Sequence, residues 1–276
     1  MSNIEPEENN LSQEEAMEEF IEEVYGIKIE SLQPHGNGQT SDIYKIISDS
    51  GSYILKSHLN EQTAANEFYC LKALSKINLS ARPLCTVNNS IYFKHGGLFY
   101  ILMAYINTQD IKKTDLNYFK LGKAVKTMHS ALSNLKLTNV PDRFNEEQLI
   151  NNIKSAGIKK LIEQKYTDYR DYTSDNTSII HGDLGVWNLL VDKYKINIID
   201  FGEVRYDDPF FDLAALTESL NLNNTDTKNL LYGYGYQDDK AYNRLTTMRK
   251  KWKLRGLIFL AVNELKTEQE LYDLLK

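Results

Sequence analysis

The chain has 276 residues, 42% of them apolar and 25% charged, which suits one large globular domain or two lobes with a sizeable core. No apolar run approaches a membrane span, and Cys70 and Cys85 form neither a CxxC pair nor part of a zinc-spaced cluster, so we expect two reduced thiols in a cytoplasmic protein with no membrane partner. The formal net charge of −6 is local: residues 1–30 hold ten Glu against one Lys, while the rest carries 31 basic and 28 acidic residues, which argues against a dedicated nucleic-acid binder.

In chain order, residues 1–10 are polar, and we expect them to be disordered. Ser12 and Glu15 form a capping-box pattern, and Met17, Phe20, Ile21 and Val24 follow at helical spacing, predicting a helix that closes near Gly26. Its acidic outer face reads as a solvated face. From Ile27 to about Phe99, alternating segments at 27–33, 42–48, 52–58, 90–94 and 98–103 predict strands. Turn signals such as Asp49-Ser50-Gly51 and Asn88-Asn89-Ser90 separate them, and one helix interrupts at 61–76. Beyond residue 108 the pattern becomes mostly helical. Leu121, Ala124, Val125, Met128 and Leu132 mark an amphipathic helix, and short strands return only at 178–180, 188–192 and 196–200. The result is a β-rich N-terminal half, a helical C-terminal half and a connector near Met103–Asn107.

The chemistry concentrates in His181-Gly182-Asp183-Leu184-Gly185-Val186-Trp187-Asn188-Leu189-Leu190, followed by Ile196-Asn197-Ile198-Ile199-Asp200-Phe201-Gly202. The segment reads as loop, short strand, turn, short strand, loop. Phosphoryl transfer needs these residue types, because the protein mainly positions groups and stabilises charge. One Asp orients an acceptor hydroxyl and takes its proton. One carboxylate and one amide oxygen suffice for Mg²⁺, which draws its other ligands from phosphates and water.

These two loops resemble the catalytic and metal loops of the protein-kinase-like superfamily. Gly182 stands where protein kinases usually have arginine, and Asp208-Pro209-Phe210-Phe211-Asp212-Leu213-Ala214 resembles a D-P-x-x-D-L-A segment. Both features point to the aminoglycoside phosphotransferase and choline kinase branch, over residues 27 to about 265. The resemblance implies an α+β, bilobal protein-kinase-like fold. Residues 1–26 would be an acidic extension, 27–103 a β-rich N-lobe, 104–107 a hinge and 108–276 a mainly helical C-lobe. It implies Asp183 as the catalytic carboxylate and Asn188 and Asp200 as Mg²⁺ ligands. Asp212 and His181 would brace the catalytic loop.

The same resemblance places a nucleotide clamp in the N-lobe. Lys56, closing the strand Tyr53-Ile54-Leu55-Lys56, matches the lysine that contacts the α- and β-phosphates. Its expected partner is Glu67, which shares a helix face with Leu71 and Leu74; a carboxylate on an apolar face wants a buried cation. Glu61, nearer the helix start, is the other candidate, where a carboxylate suits the helix dipole. The phosphate-covering loop would be Gly36-Asn37-Gly38-Gln39-Thr40-Ser41, with Gly36, Gly38, Thr40 and Ser41 as contacts. Met103 and Tyr105 in the connector would hold the base through backbone groups, which leaves ATP and GTP both open as donor.

The expected activity is therefore transfer of the γ-phosphoryl group from ATP or GTP to a hydroxyl of a small molecule. An antibiotic such as an aminoglycoside comes first, with choline, a sugar, a macrolide or another hydroxylated metabolite as alternatives. Glu203, Glu218, Asp226, Asp238, Asp239 and Glu264 are candidate carboxylates for a cationic acceptor, and Tyr206, Tyr232, Tyr234 and Tyr236 candidate aromatic lining. A protein kinase fits less well: Asp200 to Asp212 leaves no room for a long activation segment, and no Ala-Pro-Glu follows. A non-catalytic nucleotide-binding module is the reading from another class. We expect a monomer or weak dimer.

Overall fold

The computed structural model describes residues 13–36, 41–108, 116–138, 145–170, 177–191 and 195–276. Residues 1–12, with Ser12 of the predicted capping box, and Gly38 and Thr40 of the predicted phosphate loop lie outside the described residues. The chain forms two compact units, one of Met1–Phe68 with Ala81–Ile106 and one of Tyr69–Ser80 with Asn107–Lys276. Residues 69–80, expected in the β-rich lobe, thus group with the helical unit.

The first unit is built on an antiparallel sheet of β1 (Ile29–Pro34), β2 (Ile43–Ser48), β3 (Gly51–His58), β4 (Pro83–Leu84), β5 (Phe93–His95) and β6 (Leu98–Ala104). The order is β1-β2-β3-β6-β4, with β5 also paired to β6. Period-2 alternation decides which side chains face which layer. Ile46, Tyr53, Leu55, Tyr100 and Leu102 form one buried face, and α1 (Gln13–Tyr25) packs Ile21, Tyr25, Phe20 and Val24 against that layer. The acidic helix therefore caps an apolar sheet face with its apolar stripe. The strand predicted at 90–94 is shorter because a turn consumes its start: Thr86 N donates to the Ser90 carbonyl at 2.9 Å, around Asn89 at φ 60°.

Helix α2 (Glu61–Ser75) leaves this sheet after β3. The second unit holds α3 (Tyr118–Leu132), α4 (Glu146–Asn151), α5 (Ala156–Arg170), α6 (Phe210–Ser219), α7 (Asn224–Tyr234), α8 (Asp239–Val262) and α9 (Glu268–Leu275). Two small antiparallel ladders sit among them. One pairs β7 (Ser178–Ile180) with β10 (Arg205–Asp207), and the other pairs β8 (Leu189–Val191) with β9 (Ile196–Ile198). In α3 Leu121, Val125, Met128 and Leu132 of the predicted apolar stripe are buried and Ala124 is half-buried, and Gly122 and His129 lie on the same face. A Cβ at Gly122 would overlap the backbone of Leu230 in α7, and one at Gly233 would overlap that of Phe119 in α3. These two glycines let the helices cross closely enough to bring His129 to Tyr234. A further apolar cluster joins α4, α5, α8 and α9 through Ile150, Ile158, Ile162, Ile258 and Leu271. Among the described residues no helix is long and apolar enough to cross a membrane.

Candidate active site

Lys56 lies on the β3 face away from α1, and its ammonium donates to both oxygens of Glu67, at 2.8 and 3.1 Å. Both side chains are buried, Glu67 completely, together with Leu71 and Leu74 on its helix face. Burial alone would push the Glu67 carboxyl up, but the charge and hydrogen bonds of Lys56, with the nearby His58, hold it well below the ordinary carboxylate range. His58, two residues along β3 from Lys56, puts Nε2 3.2 Å from Glu67 Oε2, an ion-pair distance outside hydrogen-bond geometry. The alternative Glu61 instead sits in the first turn of α2 and accepts from Tyr92 Oη.

Of the phosphate-loop candidates, Gly36 has φ 78° and Ser41 is half-buried. The loop ends are pinned: His35 N donates to the Ile43 carbonyl at 2.7 Å, and Asp42 N donates to Ser57 Oγ at 2.8 Å. In the connector, Met103 is buried in β6, opposite Ile54. The amides of Ala104 and Tyr105 are spent on the carbonyls of Arg82 and Ser52, at 2.8 and 2.9 Å. The Tyr105 ring lies under the Lys45 ammonium, 4.1 Å from its centroid.

The second unit assembles Asp183, Asn188 and Asp200. Asn188 closes a 3-10 turn, Val186–Asn188, that begins three residues after Asp183 and has Gly185 at its N-cap. Asn188 Nδ2 donates to the Asp183 carbonyl at 2.7 Å and to Asp183 Oδ2 at 3.3 Å. Both partners accept, which fixes the amide nitrogen there and assigns the other amide atom as the oxygen Oδ1. Trp187 Nε1 also donates to Asp183 Oδ2, at 3.2 Å. The Ile199 amide donates to the Asn188 backbone carbonyl at 3.1 Å, tying Asp200 to the same loop. Asp200 sits at φ 65°, a left-handed conformation that Asp tolerates better than most residues. Burial pushes the Asp183 carboxyl above its ordinary value, aided by Asp200 and Asp212, while the Trp187 hydrogen bond and His181 pull the other way.

The backbone of the 181–183 loop is held by α6. Asp212, fully buried on α6, accepts from the amides of His181 at 2.7 Å and Gly182 at 3.0 Å, and from His129 Nε2 at 2.9 Å. His129 Nδ1 is 2.8 Å from Tyr234 Oη, completing a chain from α7 through α3 and α6 to the loop. Burial pushes the Asp212 carboxyl up, but His129, His181 and the His181 amide bring it net below its ordinary value. His181 Nε2 faces the Ile199 carbonyl at 2.9 Å and Nδ1 faces the Asp183 amide at 3.3 Å. Bonded at both ring nitrogens, His181 links the two loops as a strut. Gly182 has φ 87°, and a Cβ there would run into the Glu203 carbonyl and the Arg205 guanidinium. This is the physical reason for glycine at that position. Arg205 in turn donates to the Gly182 carbonyl at 3.1 Å.

Several acceptor-site candidates turn out to be engaged elsewhere. Glu218 is clamped between Arg249 and Lys253. Asp238 caps α8 by accepting from the Ala241 amide, and Glu264 pairs with Lys154 on the surface. Tyr234 is buried against His129, and Tyr236 stacks on it at 5.3 Å between centroids. Tyr206 and Tyr232 remain exposed. His58, His129 and Arg205 carry no motif that marks them in the sequence, and Trp187 stands inside the 181–190 motif with nothing to mark its N–H as a partner of Asp183.

The family model described as "Phosphotransferase enzyme family" matches residues 31–245. The chain is 33% identical over 141 residues to the Protein LicA homolog of Metamycoplasma hominis. That match spans 49% of this chain and 53% of the relative, about half the length of each. Among solved structures, amicoumacin kinase hAmiN in complex with AMP-PNP, Ca²⁺ and Ami superposes with a TM-score of 0.76 at 16% identity, over 96% of this chain and 91% of that one. Spectinomycin phosphotransferase APH(9)-Ia, with ADP and spectinomycin, gives 0.68 at 17% identity over 97% and 94%. Choline kinase LicA from Streptococcus pneumoniae gives 0.63 at 17% identity over 95% and 98%. These likenesses establish a shared protein-kinase-like fold. With the family match covering most of its length and residues 181–202 inside the matched span, the chain belongs to the phosphotransferase enzyme family.

Proposed function

We propose that this chain transfers the γ-phosphoryl group of a nucleoside triphosphate, ATP or GTP, to a hydroxyl of a small molecule. The observation that carries this reading is the Asp183 carboxylate: Oδ2 is held by two donors on its own loop, while the side chain stays only half-buried beside Asn188 and Asp200. An acceptor hydroxyl at Asp183 gives up its proton to the carboxylate as its oxygen bonds to the γ-phosphorus. The bond from that phosphorus to the β,γ-bridging oxygen breaks, and the nucleoside diphosphate leaves. Lys56, kept in place by Glu67, supplies positive charge to the phosphates. Gly36 and Ser41 belong to the loop that covers those phosphates, and Met103 and Tyr105 to the connector that holds the base.

The side-chain amide oxygen Oδ1 of Asn188 and the Asp200 carboxylate are hard oxygen donors on tied loops and fit Mg²⁺. When bound, that ion neutralises charge on the phosphate oxygens. Asp200→Ala is expected to weaken Mg-nucleotide binding by ten-fold or more while leaving metal-free nucleotide binding nearly unchanged, as read by calorimetry with and without Mg²⁺. Equal affinity of the variant and the wild type for the Mg-nucleotide would count against the metal role.

For the acceptor we propose a small cationic alcohol. An amino alcohol of choline type comes first, because the chain is 33% identical over 141 residues to a LicA homolog and a solved LicA is a choline kinase. Aminoglycoside-type antibiotics come second, supported by the superposition on spectinomycin phosphotransferase. The test is nucleotide consumption across a panel of choline-like amines, aminoglycosides, spectinomycin, macrolides and sugars. Consumption that depends on choline supports the first reading. Consumption only with an antibiotic replaces it with the second. Mg-dependent nucleotide binding without turnover on any acceptor would make the protein a non-catalytic module.

A further inference from the structure

Trp187 lies inside the catalytic motif, yet the reaction as described gives it no task. The ring is 53% exposed, unusual for so large an aromatic side chain. Its ring lies against Gly185, where any Cβ would overlap it. The turn carrying it is pinned to α6, because the Val186 amide donates to Ser219 Oγ at 3.1 Å. Packed this way, the indole directs its single polar atom at a carboxylate oxygen: Nε1 donates to Asp183 Oδ2 at 3.2 Å.

A carboxylate rotates readily about its terminal bond, so its two oxygens are interchangeable unless something distinguishes them. Asn188 does so weakly. Its closer bond, at 2.7 Å, goes to the Asp183 carbonyl, and its contact with Oδ2 is 3.3 Å. The indole N–H is the second donor on Oδ2 and serves no other acceptor among the described contacts.

We propose that Trp187 is a positioning residue for phosphoryl transfer: by fixing Oδ2 of Asp183 it leaves Oδ1 as the oxygen that receives the acceptor's proton. The inference rests on the kinase reading above and adds which carboxylate oxygen works and which side chain selects it. Holding the base in one orientation raises the fraction of bound complexes aligned for attack, so the effect belongs to turnover rather than to nucleotide binding.

The test compares wild type with Trp187→Phe and Trp187→His in Mg-ATP turnover. It is run with the best acceptor of the panel and also with water as acceptor, which needs no knowledge of the natural substrate. Trp187→Phe keeps an aromatic ring over Gly185 and removes only the donor. It is expected to lower kcat by about ten-fold, the effect of one lost hydrogen bond to a charged group. The nucleotide KM should stay within two-fold and the thermal unfolding midpoint should be unchanged. Trp187→His, which restores a ring N–H, should recover part of the loss. Wild-type kcat in Trp187→Phe overturns the proposal, as does a loss expressed only in the nucleotide KM. A wild-type protein that turns over no nucleotide, with water or with any acceptor, sinks the kinase reading itself and this inference with it.

Discussion

Replacing Asp183 by alanine is expected to lower phosphoryl transfer by about 10²–10⁴-fold, the range a positioned proton acceptor supplies, while nucleotide affinity stays nearly unchanged. The separation follows from where the side chain is used. Among the described residues its carboxylate oxygens accept from Trp187 and Asn188, and the loop's position is fixed by other groups. The backbone of His181 and Gly182 hangs on Asp212, and the His181 ring braces Asp183 N against Ile199 O. Removing the carboxylate therefore leaves the loop standing. Asp183→Asn makes the stricter comparison, since it keeps the shape and one acceptor oxygen but cannot take a proton. It should lose nearly as much activity as alanine. Calorimetry for the nucleotide beside steady-state kinetics separates the two quantities. Full activity in either variant would remove Asp183 from the mechanism.

The residues of that argument divide by how they can be recognised. Asp183, Asn188 and Asp200 are legible in the sequence because phosphoryl transfer restricts both their types and their spacing along two adjacent loops. Lys56 and Glu67 are legible because a strand-end lysine and a carboxylate on an apolar helix face each need explaining, and each explains the other. The strands at 43–48 and 51–58 and the helix at 61–75 fall within one or two residues of their periodic patterns. What escaped depends on tertiary juxtaposition. His129 looks like one more residue of an amphipathic helix until α3 crosses α6 and α7, and its partners lie 83 and 105 positions away. Trp187 reads as a hydrophobic residue in a motif until the 3-10 turn aims its N–H at Asp183. Strand β10 has no apolar alternation to betray it, because Arg205 and Asp207 bond to each other. The acidic α1 shows its acidity in the sequence but not the sheet face that its apolar stripe covers.

Asp212→Ala should be the most damaging substitution for the fold of the helical unit. Three donors converge on this one buried carboxylate: two loop amides and His129 Nε2. Alanine leaves all three without a partner where water does not reach, and breaking a buried charged contact of this kind costs about 3–5 kcal/mol. Activity should fall with stability, because the amides released are those that carry Asp183. Asp212→Asn is expected to be milder, since its one oxygen can still accept from a loop amide, although its NH₂ must then face another donor. The pH dependence has a definite sign. The folded-state carboxyl lies below its ordinary value of about 3.9, so its stabilisation is fully present above that value. It is lost only as pH falls below that value, through the depressed folded-state pKa. The difference in unfolding free energy between wild type and Asp212→Ala should therefore be constant from neutral pH down to mild acid and shrink only below the ordinary Asp range. Denaturant unfolding at a series of pH values reads it directly. A difference that is small at neutral pH, or that grows as the solution is acidified, would mean that the charge on Asp212 does not hold the catalytic loop.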